Sequence, residues 1–194
     1  MSLAIFYQYF FYAIWLLLII FWLVLARYVK VTVQRQAALP RVLNLALLYG
    51  AIALLAGPFV PISWLTVRVL PSSQWKSWCA VGAALTLFGV LFMLWARICL
   101  GRNWSLVAAV KGDHELVTVG PYRWVRHPIY SGLMLGFIGT AVAIGQWRGV
   151  LAVALALIAI LQRIVVEERL MRQQFGAVYD AYAQRVRALI PGLM

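Results

Sequence analysis

The sequence predicts an all-α, polytopic membrane protein with about five transmembrane helices and a cytoplasmic amphipathic C-terminal helix. Three observations carry this. Hydrophobic residues make up 65% of the 194 and charged residues only 11%, against about 45–50% and about 25% in a soluble domain. Such a surplus cannot be accommodated on a water-facing surface, so lipid is the solvent for most of the chain. The apolar residues fall in runs of about 20, the length that crosses a hydrocarbon core about 30 Å thick. Finally, the net charge of +12 is concentrated in the connectors between those runs, as the positive-inside rule requires. No compact basic face exists outside the connectors, so nucleic acid is not an expected partner. The length fits a single integral membrane domain, residues 1–194.

The first span is read at Leu3–Ala26. Its Phe, Tyr and Trp residues sit toward both ends, as at a membrane interface. No basic segment precedes it and it is too long for a signal peptide, so it is expected to be retained. A basic connector follows, with Arg27, Lys30, Arg35 and Arg41. The second span begins near Val42 and is helical to about residue 56, where Gly57-Pro58 and Pro61 interrupt it by removing backbone donors. A bend or surface turn then leads to Leu70, and Pro71-Ser72-Ser73-Gln74 marks a loop. The third span runs from about Trp78 to Leu100 and is stopped by Gly101. Cys79 and Cys99 stand near its two ends, about 30 Å apart along a helix, so they cannot bridge; neither has a histidine nearby in sequence, and no metal site is expected.

Spans four (Pro128–Gly145) and five (Gly149–Val166) are joined by the tight turn Gln146-Trp147-Arg148 and should form an antiparallel hairpin. Gly132-x-x-x-Gly136 marks a face of span four suited to close packing within the chain. Beyond Glu168, Phe175, Tyr179, Tyr182, Val186 and Leu189 recur at steps of three and four, one apolar helical face. A helix with that face suits the membrane surface or the cytoplasmic mouth of the bundle. Residues 1–100 thus hold three spans, and residues 101–194 hold the loop, the hairpin and the C-terminal helix.

Of the seventeen basic residues, fourteen fall in the connector after span one, the loop after span three and the C-terminal region, and only Arg68, Lys76 and Arg148 lie on the opposite side. This places the N-terminus outside and the C-terminus in the cytoplasm; if the chain is prokaryotic, its membrane is the inner or plasma membrane. All five acidic residues fall on the cytoplasmic side, so polar chemistry is expected there.

The longest polar stretch is the loop from Gly101 to His127. It holds His114-Glu115-Leu116-Val117, Gly120-Pro121-Tyr122 and Arg126-His127-Pro128-Ile129-Tyr130. Pro128 suits a first helical turn, and the N-terminus of span four should offer backbone N–H groups and partial positive charge to an anionic group. At the far end of span five, Arg163 and Glu167 are four apart on one face, and ionisable residues at membrane depth default to a functional reading. The hairpin makes these two ends neighbours, so His127 and Tyr130 should lie near Glu167. A glutamate, a histidine and loop backbone groups could receive the ammonium, carboxylate and adenine of S-adenosylmethionine, although these residue types alone do not single out that cofactor.

The ordered string His114-x-Leu116-Val117, Gly120-x-Tyr122, Arg126-His127-Pro128-x-Tyr130, Glu167-Glu168, Phe175-Gly176-x-x-Tyr179 and Leu189-Ile190-Pro191 resembles the isoprenylcysteine carboxyl methyltransferases, whose relatives methylate phospholipids. The resemblance covers about residues 100–191. It implies S-adenosyl-L-methionine as cofactor, contacted by His114, Glu115, Leu116, Val117, Tyr122, His127, Pro128, Ile129, Tyr130, Glu167 and Glu168. It implies Glu167 as the cofactor-binding glutamate and Arg163, with Arg126, on the substrate side, so that Arg163 and Glu167 form the catalytic pair. Ala108-Ala109-Val110 stands where the family carries a glutamine. The implied reaction is carboxyl O-methylation of an isoprenylcysteine-like, lipophilic or lipidated-cysteine acceptor by a monomer among membrane lipids. A carboxylate is already ionised at neutral pH, so no general base is required. N-methylation of a phospholipid or small amine is the alternative; it would need a base such as His127 or Glu168. A non-catalytic scaffold and a sterol-reductase-like enzyme are the remaining readings, the latter without a nucleotide-phosphate motif.

Overall fold

The computed structural model describes residues 2–26, 32–35, 38–57, 62–101, 109–111 and 116–192. They form six helices: α1 (Leu3–Ala26), α2 (Ala38–Ala56), α3 (Trp75–Leu100), α4 (Pro128–Ile144), α5 (Trp147–Phe175) and α6 (Ala177–Arg185). Apart from these there is one short antiparallel ribbon, β1 (Thr32–Arg35) against β2 (Ala109–Lys111), which ties the α1–α2 connector to the loop after α3. Stretches of α1, α3 and α5 are long and apolar enough to cross a membrane, and α2 and α4 carry shorter apolar segments, Val42–Ala56 and Pro128–Ile144. Together with the membership reported below, this makes the chain an integral membrane protein.

Glycine sets the helix ends. α3 stops at Gly101 (φ 55°), and α4 stops at Gly145 (φ 60°), whose left-handed backbone turns the chain straight into α5; a β-carbon is disfavoured in that region. The antiparallel α4–α5 hairpin is the one the sequence predicts. A second use of glycine is contact. α3 and α4 pack backbone to backbone: a β-carbon at Gly89 would fall 2.6 Å from the Gly132 carbonyl oxygen, and one at Gly132 would fall 2.6 Å from the Gly89 oxygen. Close approach of small residues is how apolar helices associate without a hydrophobic driving force between them. Gly136, the second residue of the predicted small-residue face, receives the edge of the Trp15 ring from α1.

Side chains fill the remaining bundle. Phe137 packs with Ala51, Ala152 and Ala156, and Trp15 meets its ring edge-on at 5.6 Å. Ile14 and Leu18 of α1 pack against Val90 and Met93 of α3. Several polar groups inside the bundle are paired, as apolar surroundings demand, whereas the buried Trp78 Nε1 of α3 has no partner among the described residues. Thr140 Oγ1 donates to the Gly136 carbonyl (2.8 Å) and accepts from Trp15 Nε1 (3.2 Å), with Thr86 Oγ1 at 3.3 Å. Asn44 of α2 donates to the Ala159 carbonyl of α5.

Two expectations need correction. α5 does not end near Val166 but continues to Phe175, because a helix leaving the apolar layer needs no further apolar residues once it packs on its own chain. The predicted single C-terminal helix is three pieces. α5 supplies Phe175, Gly176 (φ 51°) breaks the helix, α6 carries Tyr179 and Tyr182, and the chain leaves the helix through the extended Val186 and runs on without helical structure to Leu189. The predicted face is nevertheless the one that turns inward, with Tyr179, Tyr182 and Leu189 all buried.

Candidate active site

The site lies where the start of α4 meets the last three turns of α5. Four-residue spacing puts Arg163 and Glu167 on one face of α5, and the hairpin brings Tyr130 against them. Glu167 Oε1 accepts from the Tyr130 hydroxyl at 2.6 Å and from Arg163 Nε at 2.9 Å. The Arg163 guanidinium also stands 5.8 Å from the Tyr130 ring centroid, and the His127 ring stacks on Tyr130 at 5.7 Å and 18°. One oxygen of Glu167 is therefore fixed from two sides. The other, Oε2, is 3.6 Å from His127 Nδ1, beyond hydrogen-bond distance.

His127 is buried, with a side chain 9% exposed. Its Nε2 lies 3.5 Å from Glu168 Oε1 and has no hydrogen-bond partner among the described residues. A buried nitrogen in that state is costly and marks a position suited to a ligand atom.

Glu168 faces the other way. Arg126 holds its carboxylate through Nε (2.9 Å) and Nη2, and Arg172 Nη2 reaches Oε2 at 3.1 Å. The same Arg126 donates through Nη1 to the carbonyls of Ala183 (3.1 Å) and Val186. Arg172 continues to Asp180 (3.3 Å) and stands 5.8 Å from the Tyr179 ring. Arg126, Arg172, Glu168 and Asp180 thus join the entry to α4 with α5 and α6 in one neutral network, beside the separate Arg163–Glu167 pair.

The C-terminal segment closes this end. Arg126 N–H donates to the Arg187 carbonyl (2.8 Å), His127 N–H to the Ala188 carbonyl (3.0 Å), and Ser131 Oγ to the Leu189 carbonyl (2.6 Å). Tyr130 and Ser131 N–H bond back to the His127 carbonyl at 3.0 and 3.1 Å. These donors at the start of α4, expected to be open to an anion, are therefore engaged by the chain itself. Tyr182 donates to the Tyr122 carbonyl at 2.6 Å and fixes the turn Gly120–Arg123. Burial raises the Tyr122 phenol pKa, with Glu167 and Tyr182 adding to it, and raises that of Tyr182. The Tyr179 phenol is pushed up to about 12, chiefly by burial and then by Glu168.

Of the residues singled out from the sequence, Tyr122, Arg126, His127, Tyr130, Arg163, Glu167 and Glu168 come together here. Pro128 is buried at the first turn of α4, while Ile129 packs into the Ile14, Leu18, Val90 and Met93 cluster. Leu116 and Val117 lie in the irregular segment leading to Gly120; His114 and Glu115 lie outside the described residues. Sequence reasoning passed over Arg97, counted as a connector charge. It is 2% exposed and donates to the carbonyls of Gly101 (2.6 Å) and Leu25 (3.2 Å). Its place inside the third apolar run was the available signal. Ser131 and Tyr182 were also missed, because their partners are main-chain atoms that leave no mark in the sequence.

The family described as phospholipid methyltransferase matches residues 78–178, a stretch that contains α3 from Trp78 onward, the hairpin and all seven gathered residues. The chain is 32% identical over 142 residues to a probable protein-S-isoprenylcysteine O-methyltransferase of Oryza sativa subsp. indica, covering 71% of this chain and 74% of that protein. It is 36% identical over 99 residues to the protein-S-isoprenylcysteine O-methyltransferase of Schizosaccharomyces pombe, covering 50% and 42%. It is also similar to the nickel-cobalt-cadmium resistance protein NccN of Alcaligenes xylosoxydans xylosoxydans, 34% identical over 127 residues, 62% and 56%. With its matched segment folded around the Glu167 cluster, the chain belongs to the phospholipid methyltransferase family, among the isoprenylcysteine O-methyltransferases, and is a membrane methyltransferase.

Proposed function

We propose that this protein transfers a methyl group from S-adenosylmethionine to the carboxylate of an isoprenylcysteine-like acceptor, at the cytoplasmic end of a five-span bundle. The observation that carries the reading is the half-engaged Glu167. One oxygen is held by Tyr130 and Arg163, the second lies beyond hydrogen-bond distance of His127, and the adjacent His127 Nε2 is buried without a hydrogen-bond partner among the described residues. A positioned carboxylate suits the ammonium of the cofactor's amino-acid portion, and an imidazole N–H suits its carboxylate. The residues present therefore fit the group. His114, Glu115, Leu116 and Val117 with Tyr122, Pro128, Ile129 and Tyr130 would complete its surroundings, and Glu168 would brace His127. Residues 101–194 are the catalytic half of a single membrane domain, working as a monomer.

When bound, the cofactor supplies an electrophilic methyl on a positive sulfur; an acceptor oxygen forms the new C–O bond while the C–S electron pair leaves with the sulfur. An ionised carboxylate gives up no proton in this reaction, so the protein's contribution is positioning and exclusion of water. Arg163 orients the acceptor carboxylate, and Arg126 holds the C-terminal segment closed over the site. The charge distribution supports an outside N-terminus and a cytoplasmic site.

The family description favours a second reading, N-methylation of a phospholipid or small amine, with His127 or Glu168 as base. Transfer of tritiated methyl to farnesylcysteine, phosphatidylethanolamine and small amines separates the two. The proposal predicts label on farnesylcysteine that is released as methanol by mild base, as an ester requires. Base-stable label on the amine lipid alone would replace it with the second reading.

A further inference from the structure

At the end of the bundle remote from Glu167, a cleft of about 450 Å³ opens between the start of α1, the end of α2 and the α4–α5 turn. Its lining combines the apolar Phe11, Leu55 and Ile144 with the polar Gln8, Thr66, Gln146 and Arg148. Arg148 is the only charged residue on its wall among the described residues. Its Nε donates to Gln146 Oε1 at 2.6 Å and its Nη1 to the Leu54 carbonyl at 3.0 Å, one of the last carbonyls of α2. These bonds fix the guanidinium in a half-buried place and leave Nη2 without a hydrogen-bond partner among the described residues.

Charge is uncompensated around it. Arg68 is held beside the cleft by pairing with Gln146, and the 67–69 segment bonds to the turn through Val69 N–H to Gly145 O (2.8 Å) and Trp147 N–H to Val67 O (3.2 Å). The described acids Glu167, Glu168 and Asp180 are all paired at the opposite end. No described acidic side chain pairs with Arg68, Lys76 or Arg148. A fixed cation with an open donor, beside amide groups and apolar side chains, is chemistry that receives an anionic head group with its chain attached.

We propose that this cleft is a binding site for an anionic phospholipid, its phosphate held by Arg148 with the side-chain N–H of Gln146, and its acyl chain lying along Phe11 and Leu55. The site is separate from the methyl-transfer centre and does not depend on the function proposed for it. A bound lipid would add α1 to the joint that Arg148 already makes between the end of α2 and the α4–α5 turn.

The test is native mass spectrometry of the full chain in detergent, titrated with phosphatidylglycerol or phosphatidylcholine. The first phosphatidylglycerol should bind about tenfold more tightly than phosphatidylcholine, the equivalent of about 1.4 kcal/mol. Arg148→Gln should reduce that preference to less than threefold, and Arg148→Lys should restore part of it. Because Arg148 also caps α2, Gln8→Trp provides a variant that fills the cleft while leaving the cap intact; it too should lose the first site. Arg68→Gln, outside the wall, should keep the preference. Equal affinity for the two lipids, retention of the preference by Arg148→Gln, or equal losses in Arg68→Gln and Arg148→Gln would each overturn the proposal. Displacement of phosphatidylglycerol by millimolar inorganic phosphate would also overturn it, since the site would then take the free anion.

Discussion

Replacing Arg126 by glutamine isolates the strut that holds the C-terminal segment over the site. In the native protein its guanidinium makes two bonds to Glu168 and one each to the carbonyls of Ala183 and Val186, with both charged side chains only 11% and 12% exposed. Removing one member of a buried pair costs about 3–5 kcal/mol, because the remaining charge stays buried. Here Arg172 still reaches Glu168 at 3.1 Å, although it is itself 49% exposed and screened, so the lower end of that range, about 3 kcal/mol, is expected. For a chain of this size that corresponds to a fall of about 6–12 °C in Tm. The exposed neighbour Arg123 serves as control and should leave Tm unchanged when converted to glutamine. The double variant Arg126→Met, Glu168→Met removes both charges and should melt above the single Arg126→Gln. Thermal unfolding in detergent followed by tryptophan fluorescence reads all four proteins. An Arg126→Gln protein melting within about 2 °C of wild type would refute the reasoning behind these magnitudes.

Three further outcomes follow from the packing and the titrations. Gly89→Ala places a methyl against the Gly132 carbonyl and should cost about 1–3 kcal/mol, whereas Gly50→Ala, whose β-carbon would meet only Leu155 at 3.9 Å, should gain about 0.5–1 kcal/mol; the same sign for both in thermal melts would contradict the backbone contact. Tyr182→Phe leaves the Tyr122 carbonyl without its 2.6 Å donor and should cost about 1–3 kcal/mol, with a raised KM for the cofactor as the 120–123 turn loosens; unchanged stability and KM would remove that turn from the account. Tyr179 titrates near 12 when folded, and Tyr122 and Tyr182 are raised as well, while unfolded tyrosine titrates at about 10. Between those values the unfolded chain holds fewer protons, so stability falls as pH rises above about 10 and is unaffected by these groups below about 9; a Tm that stays flat from pH 9 to 11 would contradict this.

The hairpin and the meeting of His127, Tyr130 and Glu167 were legible because a tight turn between two apolar runs forces their far ends together. The small-residue face on α4 was legible too, but not its partner, since Gly82 and Gly89 stand seven residues apart on α3 and make no four-residue glycine pair. Arg97 was misplaced because charge was assigned to the nearest connector, whereas its guanidinium is buried on main-chain carbonyls. The end of α5 was missed for a related reason: Glu167-Glu168-Arg169 reads as the exit from lipid, and an exit from lipid is not the end of a helix. The step from Tyr182 to Val186 and Leu189 keeps a helical period by coincidence. Beyond Arg185 the backbone leaves the helix, because pairing with Arg126 and His127 satisfies donors that a further helical turn would have left open. Such long-range main-chain pairing is set by neither propensity nor pattern. The role of Arg126 was hidden by the same circumstance, as two of its four bonds reach main-chain carbonyls more than fifty residues away and the other two reach Glu168, 42 residues away and already claimed by a motif.

The central claim is that Glu167 holds the methyl donor. Calorimetric titration of S-adenosylmethionine into wild type and Glu167→Gln tests it most directly. One lost charge-assisted contact is worth about 1.5–3 kcal/mol. The account therefore predicts saturable binding of one cofactor per wild-type chain, with affinity at least about tenfold weaker in Glu167→Gln. It also predicts near-native affinity in Arg163→Gln, where Tyr130 still fixes the glutamate. Absence of saturable binding to wild type, or equal affinity in wild type and Glu167→Gln, would contradict it.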